Sequence, residues 1–322
     1  MLCALALATS SCHKSTQKYD EGSVTLYADE GFMSFMEQER DVFEYQYPKA
    51  IVNTHYMSEV DVMNGLLEDS CTLAVTSRPL TEKQIEYLKT KHKKFVRQEP
   101  IAVDAVAVIV NKDNPLGLLT VNEIKDLFSG EITSWRQLAV NDTTPIKIVF
   151  DQKGSSNVSY IEDNLLAKGA KFRDNVYAQH GNQDVIKLVE QDKSAIGFVS
   201  VSWLGEELER IQSDLTKDHL DSQKVQDLEN SNNDSFVEFT DRVKVLKVRP
   251  DDQLNGYAPY QAYIYDGKYP LVRKIYLVST ASNNSVGHSF YSFVTGTIGQ
   301  KILLMTGILP YHIPQRVVEM GN

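Results

Sequence analysis

Cysteines and long apolar runs are scarce in this sequence. Its 322 residues contain three cysteines, Cys3, Cys12 and Cys71, which lie far apart and form no CxxC motif or Cys/His cluster with metal-ligand spacing. The cysteine pattern supports neither a disulfide framework nor a metal site, and we expect no cofactor. No run of about 20 apolar residues, the length that a transmembrane helix requires, is present.

Clustered positive charge is also missing. The 33 Lys and Arg residues are outnumbered by 43 Asp and Glu residues, which gives a net charge of -10, and the basic residues are scattered through helical stretches. Nucleic-acid binding needs a basic field, so we expect no nucleic-acid partner. The seven histidines form no HExxH motif, and Gly154, Ser155 and Ser156 form no G-x-S-x-G elbow. We therefore predict a binding protein and not an enzyme.

The first residues resemble an export signal. Residues 1–8 are apolar, and small residues at 9–11 lead to Cys12, as in a bacterial lipoprotein signal, in which that cysteine is lipidated. We predict a signal and polar tether over 1–21 and a periplasmic or extracytoplasmic protein held at the membrane by lipid on Cys12. The alternative is a buried N-terminal segment with a core cysteine. After export, Cys71 would be left as a small buried hydrophobe.

Strand and helix patterns alternate through most of the chain, which predicts an α/β fold with parallel strands and helical crossovers. Strands are predicted at 23–28, 51–56, 72–76, 101–111, 146–150 and 195–200, with two more within 260–280. Helices are predicted at 31–47, 59–68, 81–91, 120–128, 157–167, 184–191, 285–295 and 298–306. The polar stretch 206–234 is predicted to be a solvated helix and loop insertion.

The chain is long enough for two domains, because single cores stop growing at about 250 to 300 residues. The apolar strand at 101–111 is typical of a chain that crosses between two lobes. We predict one lobe formed by 22–104 plus 268–322 and a second lobe formed by 105–267.

Turns between strands and helices are the candidate binding site, because ligands in α/β sheets bind at the carboxyl ends of strands and helix N-termini attract anions. The strongest candidate is the turn FDQKGSSN at 150–157. Gly154 permits close backbone approach, and Ser155, Ser156 and Asn157 can surround an oxyanion with hydroxyl and N–H groups. An ordinary helix cap is an equally good reading of this segment.

Three further turns are weaker candidates. The first is the turn after the first strand, where Gly31 opens a helix beside Asp29 and Glu30; the second places Ser58 at a helix start, where capping is the default. The third ends a strand with Arg78, which can bind phosphate or a carboxylate in bidentate fashion or can be a surface cation.

In this order the segments resemble the PstS-like phosphate-binding proteins of ABC importers, within the type II periplasmic binding fold. The resemblance is carried by segments 101–115, 121–135 (VNEIKDLFSGEITSW), 150–157, 195–200 and 269–279. It implies two lobes joined by hinge strands, a monomer, a permease partner, and phosphate or a related small oxyanion in the cleft. Carried over by position, the ligand-binding residues are Glu30, Gly31, Phe32, Ser58, Thr76, Ser77, Arg78, Asp151, Gly154, Ser155, Ser156 and Asn157.

The sequence departs from the family at the strongest turn. The family's Ser-Gly-Thr is Ser155-Ser156-Asn157 here, and Asp151 stands where the family has Arg. Arg78 occupies a position where some relatives have an anion-contacting Asp, so we predict an exchanged Arg78–Asp151 ion pair. Glu30 adds negative charge, and a like charge at about 4 Å costs about 4 kcal/mol at an effective dielectric constant of about 20. A different ligand, or a sensory or scaffold lipoprotein without one, is the alternative function.

Overall fold

The computed structural model describes residues 19–167, 170–205, 216–230 and 239–312. Cys12 and most of the predicted signal and tether lie outside these residues, as do 206–215 and 231–238 of the predicted polar insertion. No helix within the described ranges is both long enough and apolar enough to cross a membrane.

Ten strands of the described chain form one curled sheet, and two more form a small separate pair. The strands are β1 (Glu21–Asp29), β2 (Lys49–Met57), β3 (Leu73–Thr76), β4 (Arg97–Asn111), β5 (Leu118–Thr120), β6 (Lys147–Phe150), β7 (Val176–Ala178), β8 (Ala195–Ser200), β9 (Val243–Val245), β10 (Lys247–Arg249), β11 (Val272–Ser279) and β12 (Leu309–Pro310). The main path runs β2-β1-β3-β11-β4-β8-β6-β7, with β9 and β12 also paired to β4.

The helices of the described chain connect these strands. They are α1 (Met33–Gln46), α2 (Glu59–Leu67), α3 (Glu82–Lys91), α4 (Val121–Ser129), α5 (Ser156–Asn164), α6 (Asn182–Gln191), α7 (Ser222–Asn230), α8 (Gln261–Tyr265), α9 (Val286–Thr295) and α10 (Thr297–Met305). Strand β1 is parallel to β2 and β3, and β6 is parallel to β7 and β8, as predicted from the alternation. The sheet as a whole is mixed, because β11 is antiparallel to β3 and β4, and β4 is antiparallel to β8.

Strand β4 joins the two halves of the sheet. Its first part, from Arg97 to Ala105, pairs with β11, and its second part, from Val106 to Val110, pairs with β8. Almost all of its residues from Ile101 onward are buried, since both faces of the strand are covered. The predicted crossing strand is therefore present, with extra residues at its N-terminal end.

Two large hydrophobic clusters lie on either side of this crossing. One draws its buried residues from 24–102 and 275–308, and the other draws them from 105–271. In the second cluster the rings of Phe128, Phe150 and Phe198 lie 5.0 to 5.5 Å apart between centroids, which fixes α4 against β6 and β8. Because Phe150 is the last residue of β6, this packing also fixes the turn that follows it.

One predicted strand is wrong. Residues 261–265 form the short helix α8, whereas the second predicted strand of that region is β11. Tyr260 and Ile264, four residues apart, face the protein interior, where the Tyr260 ring stacks on Phe239 at 4.4 Å between centroids. Aromatic residues suggested a strand, but packing at helical spacing outweighs that propensity.

Candidate functional site

The carboxyl ends of β1, β3, β6 and β8 and the N-termini of α2, α5 and α6 meet at one place in the sheet. At this place the polar side chains are buried, although they lie far apart in sequence: Asp29, Ser58, Glu59, Thr76, Asp151, Ser155, Ser156, Asn157, Asn182, Ser200 and Ser202 are all buried. Most residues of the four predicted turns are therefore together in one cluster, as expected for parallel strands that end at one edge.

Asp29 spans the gap between the two halves of the sheet. Its Oδ1 accepts hydrogen bonds from Gly31 N (3.0 Å) and Ser156 Oγ (2.6 Å), and its Oδ2 accepts one from Ser156 N (3.0 Å). The side chain thus caps the 3₁₀ turn Glu30–Phe32 and also lies at the N-terminus of α5. The place where the sequence predicted a bound oxyanion is therefore occupied by a carboxyl group of the protein itself.

The turn before α5 is organised by a second buried carboxyl group. Ser155 Oγ caps α5 by accepting from Val158 N (3.2 Å) and donates to Asp151 Oδ1 (2.5 Å). Asn157 Nδ2 donates to Asp151 Oδ2 (2.9 Å). Gly154 has φ +74°, a left-handed conformation that favours glycine. The capping interpretation of this turn is thus correct, and capping leaves the N–H and hydroxyl of the next residue to contact an oxyanion.

Glu30 closes another side of the cluster. Its Oε2 accepts from Asn182 Nδ2 (2.8 Å) and from Asn182 N (3.3 Å), at the start of α6. A Cβ atom at Gly181 would lie 2.6 Å from Glu30 Oε1, so a larger residue there would displace the Glu30 carboxyl group. Burial raises the pKa of Glu30 to about 7, against the lowering effect of the Asn182 hydrogen bond.

A buried guanidinium group balances part of this negative charge. Arg273, on β11, donates from Nε (3.0 Å) and Nη2 (2.7 Å) to Oδ2 of Asp104, its direct partner across the strand pair with β4. The guanidinium carbon lies 5.3 Å from the centre of the Phe32 ring. Nη1 is buried and has no hydrogen-bond partner among the described residues. Nη1 therefore keeps unused donor capacity on this buried cation.

The surroundings of the cluster raise the pKa values of its acidic groups. Burial, followed by repulsion from Asp151, raises the pKa of Asp29 to about 8. Burial also raises the pKa of Asp151, and that of Asp104 despite its pairing with Arg273. The neighbouring Asp104 and Asp29 carboxyl groups raise the pKa of Arg273, against the effect of burial, so this side chain stays cationic. Near neutral pH the cluster therefore contains protonated carboxyl groups, such as that of Asp29, beside the cationic Arg273.

The structure does not form the predicted Arg78–Asp151 ion pair. Arg78 Nη2 lies 2.7 Å from Asp163 Oδ2 and donates to the carbonyl oxygen of Ser159 (3.1 Å), and its Nε lies 3.8 Å from Glu59 Oε2. Its side chain is 44% exposed. The pair was predicted from the positions of Arg78 and Asp151 in the family resemblance, whereas helix α5 presents the Asp163 carboxylate and the Ser159 carbonyl oxygen to the Arg78 guanidinium.

The remaining predicted residues have local partners. Ser58 caps α2, because its Oγ accepts from Asp61 N (3.3 Å) and donates to Asp61 Oδ2 (2.6 Å). Ser77 donates from N and Oγ to Glu59 Oε1 (2.5 and 2.6 Å), and Thr76 Oγ1 donates to Arg78 O (2.7 Å). Phe32 is fully buried in the hydrophobic core.

Two buried side-chain oxygens of the cluster have no hydrogen bond within the residues that the structure describes. Glu59 Oε2 and Asn157 Oδ1 accept no hydrogen bond from any described residue. Together with Arg273 Nη1, they leave both donor and acceptor capacity within the cluster. Buried polar groups without partners are uncommon, and a bound ligand is one way to satisfy them.

Sequence reasoning missed Glu59, Asp104, Asn182 and Arg273. A signal existed for two of them: Asp104 interrupts the apolar run of β4, and Arg273 interrupts that of β11. Asp104 is the one charge between Ile101 and Asn111, and Arg273 stands beside Lys274 near the start of β11, so the sequence offers charges of opposite sign in two apolar strands, and a buried charge requires a partner. Glu59 and Asn182 have no such signal, since polar residues are ordinary in the first turn of a helix.

Comparison with known proteins supports the same fold. The phosphate-binding protein PstS of Pseudomonas aeruginosa is 22% identical over 313 residues, which cover 92% of this chain and 85% of the relative. A structure from Clostridium perfringens, described as a phosphate ABC transporter substrate-binding protein with bound phosphate, has a TM-score of 0.69 at 21% identity and covers 90% of this chain and 100% of its own. An ABC-type phosphate transport receptor from Vibrio cholerae has a TM-score of 0.60 at 18% identity, with the same coverage.

These relatives confirm the predicted resemblance to PstS-like proteins and the predicted type II periplasmic binding fold. The family model described as a PBP superfamily domain matches residues 13–297. The chain therefore belongs to the PBP superfamily.

Proposed function

We propose that this protein is an extracytoplasmic solute-binding lipoprotein that captures phosphate or a related small oxyanion between two lobes and presents it to an ABC permease. The lobes are 22–104 plus 268–322 and 105–267, a division supported by the two hydrophobic clusters. Lipid on Cys12 would hold the protein, as a monomer, at the membrane. The permease partner and the extracytoplasmic location are inferred from the phosphate transport relatives.

The observation that carries the proposal is the binding of the Asp29 carboxyl group at the N-terminus of α5. Gly31 N, Ser156 N and Ser156 Oγ donate to the oxygens of Asp29, so the cleft supplies three converging donors to an oxyanion group. The positive end of a helix dipole adds to this attraction. Arg273 Nη1 supplies a fourth, charged donor that has no partner among the described residues. A phosphate that enters the cleft would replace the Asp29 carboxylate at these donors.

The unpaired acceptors favour a ligand that carries a hydroxyl proton. Asn157 Oδ1 has no hydrogen-bond donor within the described part of the chain, and Glu59 Oε2 has no hydrogen bond there beyond its ion-pair contact with Arg78 Nε at 3.8 Å. A protonated phosphate can donate to such oxygens, whereas sulfate at neutral pH has only acceptors and would face them with like partial charge. This difference favours phosphate over sulfate, because a mismatched buried polar pair costs about 1 to 3 kcal/mol.

We propose binding without catalysis. The hydroxyls of Ser155 and Ser156 donate to the carboxyl groups of Asp151 and Asp29, and in the described chain no histidine is hydrogen-bonded to either hydroxyl. A serine nucleophile needs a base that takes its proton, and Asp29, whose pKa is raised to about 8, is largely protonated at neutral pH and is a poor base for Ser156. Turnover of phosphoesters or acyl esters by the purified protein would contradict this part of the proposal.

The second candidate function is a sensory or scaffold lipoprotein that binds a different ligand or none. The observation in its favour is that Asp29 already occupies the donors at α5, so an external anion must displace a tethered competitor. A cationic or hydroxyl-rich ligand would suit the acidic cluster without that displacement. This candidate predicts no heat with any small inorganic anion.

Isothermal titration calorimetry separates the two candidates. We expect heat of binding with phosphate and at least tenfold weaker binding of sulfate. Ser156→Ala should weaken phosphate binding about 10-fold or more, because a hydrogen bond to a charged group contributes about 1.5 to 3 kcal/mol. Ser129→Ala is the matched control, since Ser129 is exposed at the end of α4 and should leave the affinity unchanged. No heat and no thermal shift with any anion would refute phosphate capture.

A further inference from the structure

A cavity lies at the edge of the sheet where β1 and β4 begin and β11 ends, at the opposite end of β1 from the buried polar cluster. Its volume is about 700 Å³, and its wall includes Lys93, Lys94, Arg97, Thr280 and Ser285. Lys93 and Lys94 belong to the loop after α3, and Arg97 is the first residue of β4, within an ordinary polar stretch of the sequence. The fold gathers them beside β1 and the start of α9, in a protein whose net charge is -10.

Two of these cations have no acidic partner. Lys93 Nζ donates to the carbonyl oxygen of Thr90 (2.9 Å), and Arg97 donates to the carbonyl oxygen of Ala281 (3.0 Å) and to the side chain of Asn283. No carboxylate lies within 4.0 Å of either cation in the described ranges. Only Lys94 is paired, with Asp69 Oδ1 at 3.0 Å. The cavity therefore keeps an uncompensated positive charge.

The wall also has spare hydrogen-bonding capacity. The hydroxyl of Thr280 is buried and has no hydrogen-bond partner among the described residues. Helix α9 begins at Ser285 and Val286, so the positive end of its dipole is at the cavity. Cations, a buried hydroxyl and a helix N-terminus together form a suitable environment for a phosphate group.

An aromatic side chain at the rim points to an amphipathic ligand. Phe95 also lines the cavity and is 73% exposed, and the Arg97 guanidinium carbon lies 5.4 Å from the centre of its ring. An exposed aromatic ring beside basic residues is typical of a surface that touches a membrane interface. The volume also exceeds what inorganic phosphate needs.

The start of the described chain lies at the same edge. Ser23 and Val24 line the cavity, and Tyr19 lines a neighbouring cavity that shares Asn283 with it. Six residues lie between Cys12 and Tyr19, so the two positions are at most about 25 Å apart along an extended chain. A lipid on Cys12 would therefore keep this edge of the protein close to the bilayer.

We propose that this cavity, formed by Lys93, Arg97, Thr280 and the N-terminus of α9 with Phe95 at its rim, binds the phosphodiester headgroup of an anionic phospholipid. Lys93 allows a specific test, because its φ is +56°, a conformation that glycine adopts more readily than lysine. It lies just after the end of α3, a place where helices commonly end on a glycine in a left-handed conformation. Lys93→Gly thus removes the charge without disturbing the fold.

The test uses the full chain carrying Cys12→Ala, so that no acyl chain contributes to binding. Vesicles of phosphatidylcholine with and without phosphatidylglycerol are titrated, and binding is measured by co-sedimentation. We expect binding only to the phosphatidylglycerol vesicles. Lys93→Gly should weaken it about fivefold, the contribution of one basic residue near an anionic surface, without lowering the thermal midpoint.

The matched control is Lys187→Ala, an exposed position on α6 that changes the net charge equally. It should leave vesicle affinity unchanged, and Phe95→Ser should reduce it. Equal losses in Lys93→Gly and Lys187→Ala would show a net-charge effect and overturn the proposal. Equal binding to both vesicle types would also overturn it, as would calorimetric binding of soluble glycerol phosphate without vesicle binding.

Discussion

Asp29→Asn tests the balance of charge in the cleft most directly. Asp29 is fully buried, and its pKa in the folded protein is about 8, against about 3.9 in an unfolded chain. Between these two values the folded state keeps a proton that the unfolded state has released. Stability conferred by this proton is therefore complete below about pH 4 and is lost as the pH rises through 8.

The size of the effect follows from the pKa difference. A difference of one bound proton changes the free energy of unfolding by about 1.4 kcal/mol per pH unit. Deprotonation of Asp29 therefore lowers the free energy of unfolding by about 6 kcal/mol between pH 4 and pH 8. In Asp29→Asn the amide oxygen can accept from Gly31 N or from Ser156 N but not from both in the present arrangement. The lost hydrogen bond costs about 1 to 3 kcal/mol at every pH.

The two stability curves should therefore cross. The variant is expected to be less stable than the wild type at pH 4, equally stable near pH 5 and about 4 kcal/mol more stable at pH 8. Urea unfolding at a series of pH values, followed by circular dichroism, measures both curves. Glu30 has a raised pKa of about 7 and contributes the same slope to both proteins, so it cancels in the difference.

Asp113→Asn is the control for the loss of a carboxylate as such. Asp113 is exposed and pairs with Lys193 (2.7 Å), which lowers its pKa, so it is ionised in both states above pH 5. Its stability curve should run parallel to that of the wild type. If Asp29→Asn is less stable by the same amount at all pH values, Asp29 is ionised throughout and the reasoning fails.

Two further predictions concern the cation and the turn of the cleft. Arg273→Met should lower stability at pH 8 by about 3 to 5 kcal/mol, because it leaves buried carboxylates unpaired, and should abolish the calorimetric heat of phosphate binding. Arg78→Met, at a half-exposed site, should keep the phosphate dissociation constant within about tenfold. Gly154→Ala should lower the free energy of unfolding in urea by about 1 to 2 kcal/mol, because alanine is strained at a φ of +74°. The added methyl group would also lie 3.3 Å from the Val60 side chain, which adds to this loss. Gly267→Ala, at φ +66° with no atom near the added methyl group, should show the backbone cost alone.

The sequence predicts the framework of the site better than its charges. Strand and helix alternation locates the turns, and the turn around Gly154 is correctly placed because its glycine, serines and helix start are adjacent in sequence. The Asp104–Arg273 pair depends on the register between β4 and β11, and that register shifts at a bulge beside Tyr276. No local pattern encodes such a shift, so the main cation of the cleft is visible only in the folded chain.

The exchanged ion pair failed for a related reason. Replacement of the family Arg by Asp151 is plain in the sequence, and charge balance does require a compensating cation. Arg78 is close to the cleft but half exposed, whereas Arg273 is buried and can oppose several carboxyl groups at once. A buried cation compensates buried charge more strongly, because solvent screens an exposed one. The positive charge that compensates the buried carboxyl groups therefore comes from Arg273 on strand β11 and not from a residue of the turns.

This charge balance predicts that phosphate binding takes up protons. A bound oxyanion adds negative charge beside Asp29 and Glu30, whose pKa values are already about 8 and 7, and raises both further. At pH 7.5 each group is partly ionised, so binding should draw in about one proton, and affinity should fall as the pH rises above 8.

Calorimetry in Tris and in HEPES at pH 7.5 measures this uptake, because each proton taken from the buffer adds that buffer's heat of ionisation. Phosphate can also bind a proton itself, so the source must be separated. Glu30→Gln removes only the share that Glu30 provides and should reduce the uptake by a clear fraction of a proton. Glu131→Gln, at an exposed glutamate after α4, should leave it unchanged. If the uptake is the same in all three proteins, the proton belongs to the ligand or to Asp29, and Glu30 has no part in the charge balance of the bound state.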